Sequence, residues 1–184
     1  MNILFGKHVT SSDQKSLGIL KELLVHPDTR KVAFLVVQRG LFFSTDTLIP
    51  FDAVTGVADD VIQVGEPAEI LTSRIQEIST PETQPHRSLI PPGFVPGEIP
   101  PPPIAPDDTV SMDHDTPVES CRGESVGCVT GVMTCDGKIS YIQTKGGLLR
   151  PARIIPETSI AAIVDNGIQL TITAADLEKL YMAG

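Results

Sequence analysis

The residue types best suited to hold a metal ion occur together at Asp113, His114 and Asp115, shortly before Cys121. Carboxylate, imidazole and thiolate groups are all metal ligands in proteins. Their spacing matches no established metal-binding motif, and the acidic, Pro-rich surroundings are typical of a solvated loop. We therefore expect no metal ion and no other cofactor. A regulator that binds a metal in this loop, or a small molecule inside the fold, is kept as an alternative.

The three cysteines, Cys121, Cys128 and Cys135, invite a cluster interpretation because they are evenly spaced. Cys128 and Cys135 fall at opposite ends of one predicted strand, which separates them by about 23 Å at about 3.3 Å per residue. They cannot share a metal ion in that arrangement, and Cys128 is interpreted as a small core residue. An odd number of cysteines favours a reducing compartment over a disulfide framework, so we predict a cytoplasmic protein.

Catalytic groups are sparse in this sequence. Asp59 and Asp60 are adjacent carboxylates, but neighbours in a turn usually serve the turn. Gly146 and Gly147 lack the rest of a phosphate-binding loop signature. An enzyme needs a nucleophile beside a base, or paired carboxylates in a pocket, and no such set can be recognised. We predict that the protein is not an enzyme.

The charge of the chain is unevenly distributed. The net charge is −9, and residues 79–119 carry one basic and seven acidic groups. Nucleic-acid binding depends on clustered Lys and Arg, so direct binding of nucleic acid is not expected. No stretch approaches the roughly 18 to 20 apolar residues that a membrane span requires, so we expect no transmembrane segment. Peripheral association with a complex at the inner membrane stays open.

The strongest pattern in the sequence is an internal repeat. Residues 35–64 align with residues 141–170 at a constant offset of 106 without a gap. Both copies contain an Ile-Pro pair, an acidic turn and a short Ile-Gln strand. These features predict a duplicated β module, and all other elements must be organised around it.

Each copy has the signals of short strands followed by a short helix. In the first copy, residues 17–25 and 32–37 are β-branched apolar runs around a turn that contains Pro27. Ile70 and Leu71 follow Pro67 at helical spacing, and Leu177 follows a capping arrangement that starts at Thr173. We predict an all-β fold with minor α content: two small β-barrels, each followed by a short helix.

The segment between the two copies has a different composition. Residues 79–119 hold eleven of the sixteen prolines and most of the excess acid. Such a segment buries too little apolar surface to offset its ordering entropy, which predicts a long disordered linker. The predicted domains are therefore residues 1–78, the linker 79–119 and residues 120–184. The apolar run around Phe94 leaves open that the linker is itself a polyproline II ligand.

Residues 18–37, followed by residues 48–54 and an Asp-rich turn before a short strand, resemble the PRC-barrel family. That family is named for the cytoplasmic part of the photosynthetic reaction-centre H subunit, and it includes the C-terminal domain of the ribosome maturation factor RimM. The resemblance covers about residues 5–75 well. It covers residues 124–181 less well, because Glu157 and Thr158 stand in place of the usual aromatic and acidic pair. A tandem PRC-barrel protein is the resulting interpretation.

The resemblance implies a non-enzymatic adaptor or scaffold that binds other proteins, such as one that assembles or stabilises a membrane-associated, reaction-centre-like complex. A ribosome-maturation factor similar to RimM is an alternative. The partner itself is not readable from the sequence. The candidate protein-contact residues are apolar: Leu41, Phe42, Phe43, Phe51 and Phe94. A further hypothesis packs the two barrels on each other, with residues 41–43 against residues 147–149.

Overall fold

A computed structural model of the chain describes residues 1–40, 45–58, 60–74, 108–145, 152–165 and 167–182. The first module contains, in chain order, β1 (Asn2–Leu4), β2 (His8–Thr10), β3 (Ser16–Val25), β4 (Val32–Arg39), β5 (Thr45–Pro50), a 3-10 turn (Phe51–Ala53), β6 (Val54–Ala58), β7 (Val61–Val64) and α1 (Ala68–Arg74). The second module repeats this order with β8 (Val110–Asp113), β9 (Pro117–Glu119), β10 (Ser125–Cys135), β11 (Lys138–Lys145), β12 (Arg153–Pro156), a 3-10 turn (Glu157–Ser159), β13 (Ile160–Val164), β14 (Gly167–Leu170) and α2 (Ala174–Met182).

The strands form two seven-stranded sheets with equivalent topologies. The first sheet has the order β5-β4-β3-β2-β7-β6, and the second has the order β12-β11-β10-β9-β14-β13. The pairs β2–β7 and β9–β14 are parallel, and the other strand pairs within the described residues are antiparallel. The predicted fold class, all-β with minor α content, is confirmed. Neither helix in the described part of the chain is long and apolar enough to cross a membrane.

The local predictions for the helices hold where the chain is described. Each helix places one leucine in the core, since Leu71 is 2% and Leu177 0% exposed. The second helix begins with the predicted cap, in which the Asp176 backbone N–H donates to Thr173 Oγ1 at 3.1 Å. Such a cap satisfies one of the N–H groups that the first turn of a helix leaves without an intrahelical partner.

The two modules exchange their first strands. β1 leaves its own module and pairs antiparallel with β10, with Ile3 opposite Val132. β8 does the reverse and pairs with β3, with Met112 opposite Leu23. The two contacts are equivalent, because each residue of one pair lies 109 positions from its counterpart in the other. The modules are therefore interlocked by a pseudo-twofold exchange rather than merely tethered.

The exchanged strand β1 passes so close to β10 that one glycine is needed there. A Cβ added to Gly131 would lie 2.5 Å from the Ile3 carbonyl oxygen and 2.6 Å from Leu4 Cδ2. Real Cβ atoms do not approach backbone oxygens so closely, so a larger residue at Gly131 would force β1 away from the second sheet. The buried side chains of both modules then form one contiguous aliphatic cluster, in which Ile3 and Met112 are both 0% exposed.

Strand register corrects the ungapped repeat. Phe34 pairs with Pro50, and Tyr141 pairs with Pro156, so Phe34 corresponds to Tyr141 at an offset of 107. The offset becomes 106 only from β5 and β12 onward. The second β-hairpin has therefore lost two residues relative to the first, and a third residue is lost between β11 and β12.

The predicted linker boundary is also wrong at one end. β8 and β9 lie within residues 79–119, so the last part of that segment belongs to the sheets. β8 has an alternating apolar pattern around the buried Met112, a signal that the surrounding acid and proline obscured. The prediction of a disordered linker otherwise falls on residues 75–107, which lie outside the described residues.

Candidate protein interface

The turns of the two β-hairpins meet at the pseudo-twofold axis. Lys31 and Lys138 form an isolated antiparallel bridge. The Val32 N–H donates to the Gly137 carbonyl oxygen, and the Ile139 N–H donates to the Arg30 carbonyl oxygen, each at 2.9 Å. At the offset of 107, Val32 corresponds to Ile139 and Arg30 corresponds to Gly137. Each of these hydrogen bonds is therefore the pseudo-symmetric copy of the other.

On one side of this axis, Arg30 closes the space between the modules. Its Nη1 donates to the carbonyl oxygen of Glu157 at 3.0 Å and to Glu157 Oε1 at 3.1 Å. Its Nη2 donates to the Ile160 carbonyl oxygen at 2.8 Å. The side chain therefore clasps the second 3-10 turn. Arg30 has a φ of 57°, which is uncommon for a residue with a side chain, and these three contacts offset that local strain.

The Glu157 carboxylate is held in its charged form at this closed side. Lys138 Nζ lies 2.7 Å from Glu157 Oε1, the same oxygen that Arg30 contacts. The hydrogen bond from Lys138 is the largest cause that lowers the pKa of Glu157, and the nearby Arg30 charge adds to it. A partly buried carboxylate between two cations stays ionised, so the closed side is a stable charged contact.

On the other side of the axis, the equivalent space is an open groove. Gly137, with a φ of 77°, has no side chain to place over the first 3-10 turn, and Phe51 stands where the second module has Glu157. A Cβ on Gly137 would lie 3.5 Å from Phe51 Cδ1, which is ordinary contact. The groove has a volume of about 770 Å³. It is lined by residues of both modules: Met1, Lys31, Val32, Ala33, Phe34, Pro50, Phe51, Asp52, Val54, Thr134, Cys135, Asp136 and Gly137.

The groove combines an apolar floor with a polar rim. Val32 and Val54 are buried beneath it, and the rings of Phe34 and Phe51 are half-buried. Asp52 and Asp136 are exposed at its edge. An apolar surface with a few polar groups at its margin is the usual form of a site that binds a peptide or a protein side chain.

Of the predicted contact residues, Phe51 lies in this groove. Leu41, Phe42, Phe43 and Phe94 lie outside the described residues, as does the predicted contact between residues 41–43 and 147–149. Sequence reasoning missed Phe34, Arg30 and Gly137. The signal available for them was the shorter second hairpin with its Asp-Gly turn, but that signal indicates a turn and not the groove that the turn leaves open.

The acidic turn around His114 makes local hydrogen bonds. Asp113 Oδ1 accepts from the Asp115 N–H at 3.0 Å and from Thr116 Oγ1 at 2.8 Å, which is a turn of the kind that Asp stabilises. His114 Nε2 lies 3.2 Å from Asp115 Oδ2. Within the residues that the structure describes, no three His, Cys, Asp or Glu side chains are grouped so that they could hold a metal ion.

The structure contradicts the prediction for Cys128 and places Asp60 in a turn. Cys128 is exposed rather than a core residue, because the strand places its neighbours Val126 and Val129 inside. Asp60 lies in the turn before β7, as predicted, and its Oδ2 is 2.6 Å from Lys7 Nζ. Asp59 lies outside the described residues, so the predicted pair of carboxylates cannot be placed together.

Comparison with known proteins gives one family. Residues 2–71 match the family model described as the PRC-barrel domain. This match covers all seven strands of the first module and most of α1, and it ends before the second module begins. No curated protein matches the chain significantly.

Proposed function

We propose that this protein is a non-enzymatic adaptor that binds another protein, because residues 2–71 match the family model described as the PRC-barrel domain. The observation that carries this proposal is the groove between the second hairpin and the first 3-10 turn. It presents aromatic rings inside a charged rim that contains Asp52, Asp136 and Lys31, and its pseudo-symmetric counterpart is already filled by Arg30. We also infer that the second module is a PRC-type barrel, since its strand order repeats that of the first.

The interlocked modules support a role as a rigid platform. Each sheet contains one strand from the other module, so neither can shift independently without breaking strand pairs. A preorganised surface loses less conformational entropy on binding than a flexible one, which favours recognition of a preformed partner. The partner complex that we favour is membrane-associated, in line with the reaction-centre relatives of the family. A pre-ribosomal partner is the alternative.

The experiment that tests the proposed function is affinity capture with the tagged full chain from its native host. Soluble lysate and detergent-solubilised membranes are processed in parallel, and the bound proteins are identified by mass spectrometry. The groove variant Asp136→Lys reverses an exposed charge at the rim. The matched control Asp28→Lys makes the same change on the first hairpin, which lies on the closed side.

We expect a protein that wild type and Asp28→Lys enrich equally and that Asp136→Lys enriches about tenfold less, since rim charges steer association and suppress wrong partners. Membrane-complex subunits would support the favoured location, and ribosomal precursors would support the alternative. Failure of all three proteins to enrich any protein over a tag-only control, in both fractions, would refute the adaptor role.

A further inference from the structure

We propose that the groove receives an arginine side chain from the partner protein, in the way that the pseudo-symmetric site receives Arg30. This inference rests on the protein-binding role proposed above and adds the chemistry of what is bound. The closed side shows how this fold binds a guanidinium group, because Arg30 donates there to the carbonyl oxygens of Glu157 and Ile160.

The backbone acceptors of the two sites are equivalent. Arg30 donates to the carbonyl oxygens of Glu157 and Ile160, whose counterparts in the groove are those of Phe51 and Val54. Both 3-10 turns close with the same hydrogen bond. The Val54 N–H donates to the Phe51 carbonyl oxygen in the first turn, and the Ile160 N–H donates to the Glu157 carbonyl oxygen in the second.

The dihedral angles that enter and leave the two turns also agree. Before the first turn, Pro50 has a φ of −57° and a ψ of 139°. Before the second turn, Pro156 has a φ of −70° and a ψ of 149°. The residue after each turn has −77° and 118° at Val54 and −92° and 120° at Ile160. The groove therefore offers the same carbonyl arrangement that binds Arg30, without an internal arginine to occupy it.

The side chains around the two sites differ in a way that favours an external cation. The closed side has Thr29 and Thr158 where the open side has Asp136 and Asp52. The open side thus exchanges two neutral residues for two carboxylates. Phe51 replaces Glu157, so these three exchanges give the open side one carboxylate more than the closed side. The groove lining also includes Lys31, the counterpart of Lys138, and Met1, whose amino group donates to the Thr134 carbonyl oxygen.

Arginine fits this combination better than lysine. Its planar guanidinium carries five N–H donors, stacks on aromatic faces and pairs with carboxylates in a fixed geometry. The groove supplies two half-buried rings, Phe34 and Phe51, and a cation over such a ring gains a favourable interaction. Lysine offers a compact, strongly hydrated charge that cannot use the two carbonyl oxygens and the ring together.

The test uses the full chain, and its probe is the peptide acetyl-Gly-Arg-Gly-amide. Titration is followed by NMR through the amide signals of Val54 and Gly137 and the ring signals of Phe51. The same peptide with citrulline in place of arginine has the same shape without the charge. The same peptide with lysine keeps the charge without the planar fork.

The variant Gly137→Arg supplies the guanidinium internally. Its counterpart Arg30 adopts a φ of 57°, so a residue with a side chain is tolerated at this position of the fold. Gly137→Ala adds a Cβ at an ordinary distance from Phe51 and serves as the matched control. We expect wild type and Gly137→Ala to bind the arginine peptide with similar affinity. Gly137→Arg should show no saturable shift, and the citrulline and lysine peptides should bind about tenfold or more weakly.

Folded Gly137→Arg that binds the arginine peptide as wild type does would overturn the proposal, and so would equal affinity for the lysine peptide. If Gly137→Arg does not fold, the double variant Asp52→Asn with Asp136→Asn gives the same test, with affinity expected to fall about tenfold or more. Unchanged affinity of that double variant would also overturn it.

Two other occupants have their own outcomes. Arg87 lies outside the described residues; if Arg87→Gln alone changes the Phe51 ring signals of the free chain, the occupant is internal and the proposal fails. If those signals depend on protein concentration, the occupant is a second copy, with the same consequence.

A partner captured equally well by Gly137→Arg would refute arginine recognition while leaving the adaptor role intact. Absence of any partner would refute the adaptor role, and the peptide titration would still decide what the groove binds.

Discussion

Strand exchange makes one side chain of the first module a structural residue of the second. Ile3 is 0% exposed and lies opposite Val132 in the second sheet. Replacing a buried isoleucine by alanine removes its transfer free energy and leaves a cavity, which costs about 2 to 5 kcal/mol. We expect Ile3→Ala to lower the free energy of unfolding by about 3 kcal/mol, against a total of about 5 to 15 kcal/mol for a protein of ordinary stability. The matched control is Ile19→Ala, because Ile19 is 41% exposed and should cost about 0.5 kcal/mol or less.

The assay combines urea unfolding with methyl NMR. Urea midpoints give the two losses of stability, and methyl spectra show where the cavity is felt. We expect the largest chemical-shift change in Ile3→Ala at Val132, across the exchanged pair. A loss below about 1 kcal/mol would refute the exchanged packing. So would a spectrum whose largest changes lie at Leu20 of the first sheet, because Ile3 would then pack in its own module.

Met112, Arg30 and Asp13 give three further predictions for stability. Met112→Ala should cost about 2 to 5 kcal/mol in urea unfolding and perturb Leu23 most, and a small loss confined to the second sheet would contradict it. Arg30→Ala should cost about 1 to 3 kcal/mol in the same assay, because it removes three charge-assisted hydrogen bonds to Glu157 and Ile160. A neutral result would show that these contacts are not stabilising. Asp13 accepts from the Ala68 N–H at 3.1 Å, and hydrogen bonds, chiefly from Ser11, hold the pKa of Asp13 well below its usual value. The stabilising contribution of the Asp13 carboxylate is therefore complete above about pH 4 and is lost as pH falls towards the lowered pKa. Asp13→Asn should be less stable than wild type at about pH 7, and the difference should shrink at about pH 2. Equal urea midpoints of the two proteins at about pH 7 would contradict this.

Local elements could be predicted because their causes are local. The hairpin around Pro27, the cap at Thr173 and the buried Leu71 and Leu177 depend on turn chemistry and periodicity within a few residues. Strand exchange could not be predicted in the same way. The sequence pattern of a strand such as β1 indicates that the strand is half-buried. It does not indicate which of two equivalent sheets the strand joins. In a duplicated chain, Val132 and Leu23 are equally suitable partners for Ile3.

The candidate site was predictable only through Phe51. An aromatic residue after a proline stood out in the sequence, whereas the groove depends on a difference between two hairpins. Extended back to the hairpin, the offset of 106 would match Arg30 with Asp136 and hide its correspondence with Gly137. Register fixed by the pairs Phe34–Pro50 and Tyr141–Pro156 was needed to see it. Cys128 was misplaced for a related reason, since a β-bulge shifts the face of β10 on which side chains lie.

The most direct test of the groove as a protein interface is photo-crosslinking in the native host. A photoreactive phenylalanine analogue, p-benzoylphenylalanine, replaces the exposed Asp136 at the groove. In the control chain it replaces the exposed Thr29, the counterpart of Asp136 on the closed side. We expect position 136 to crosslink to a distinct protein that position 29 does not capture. Equal crosslinking from both positions, or none above an unirradiated sample at position 136, would contradict it.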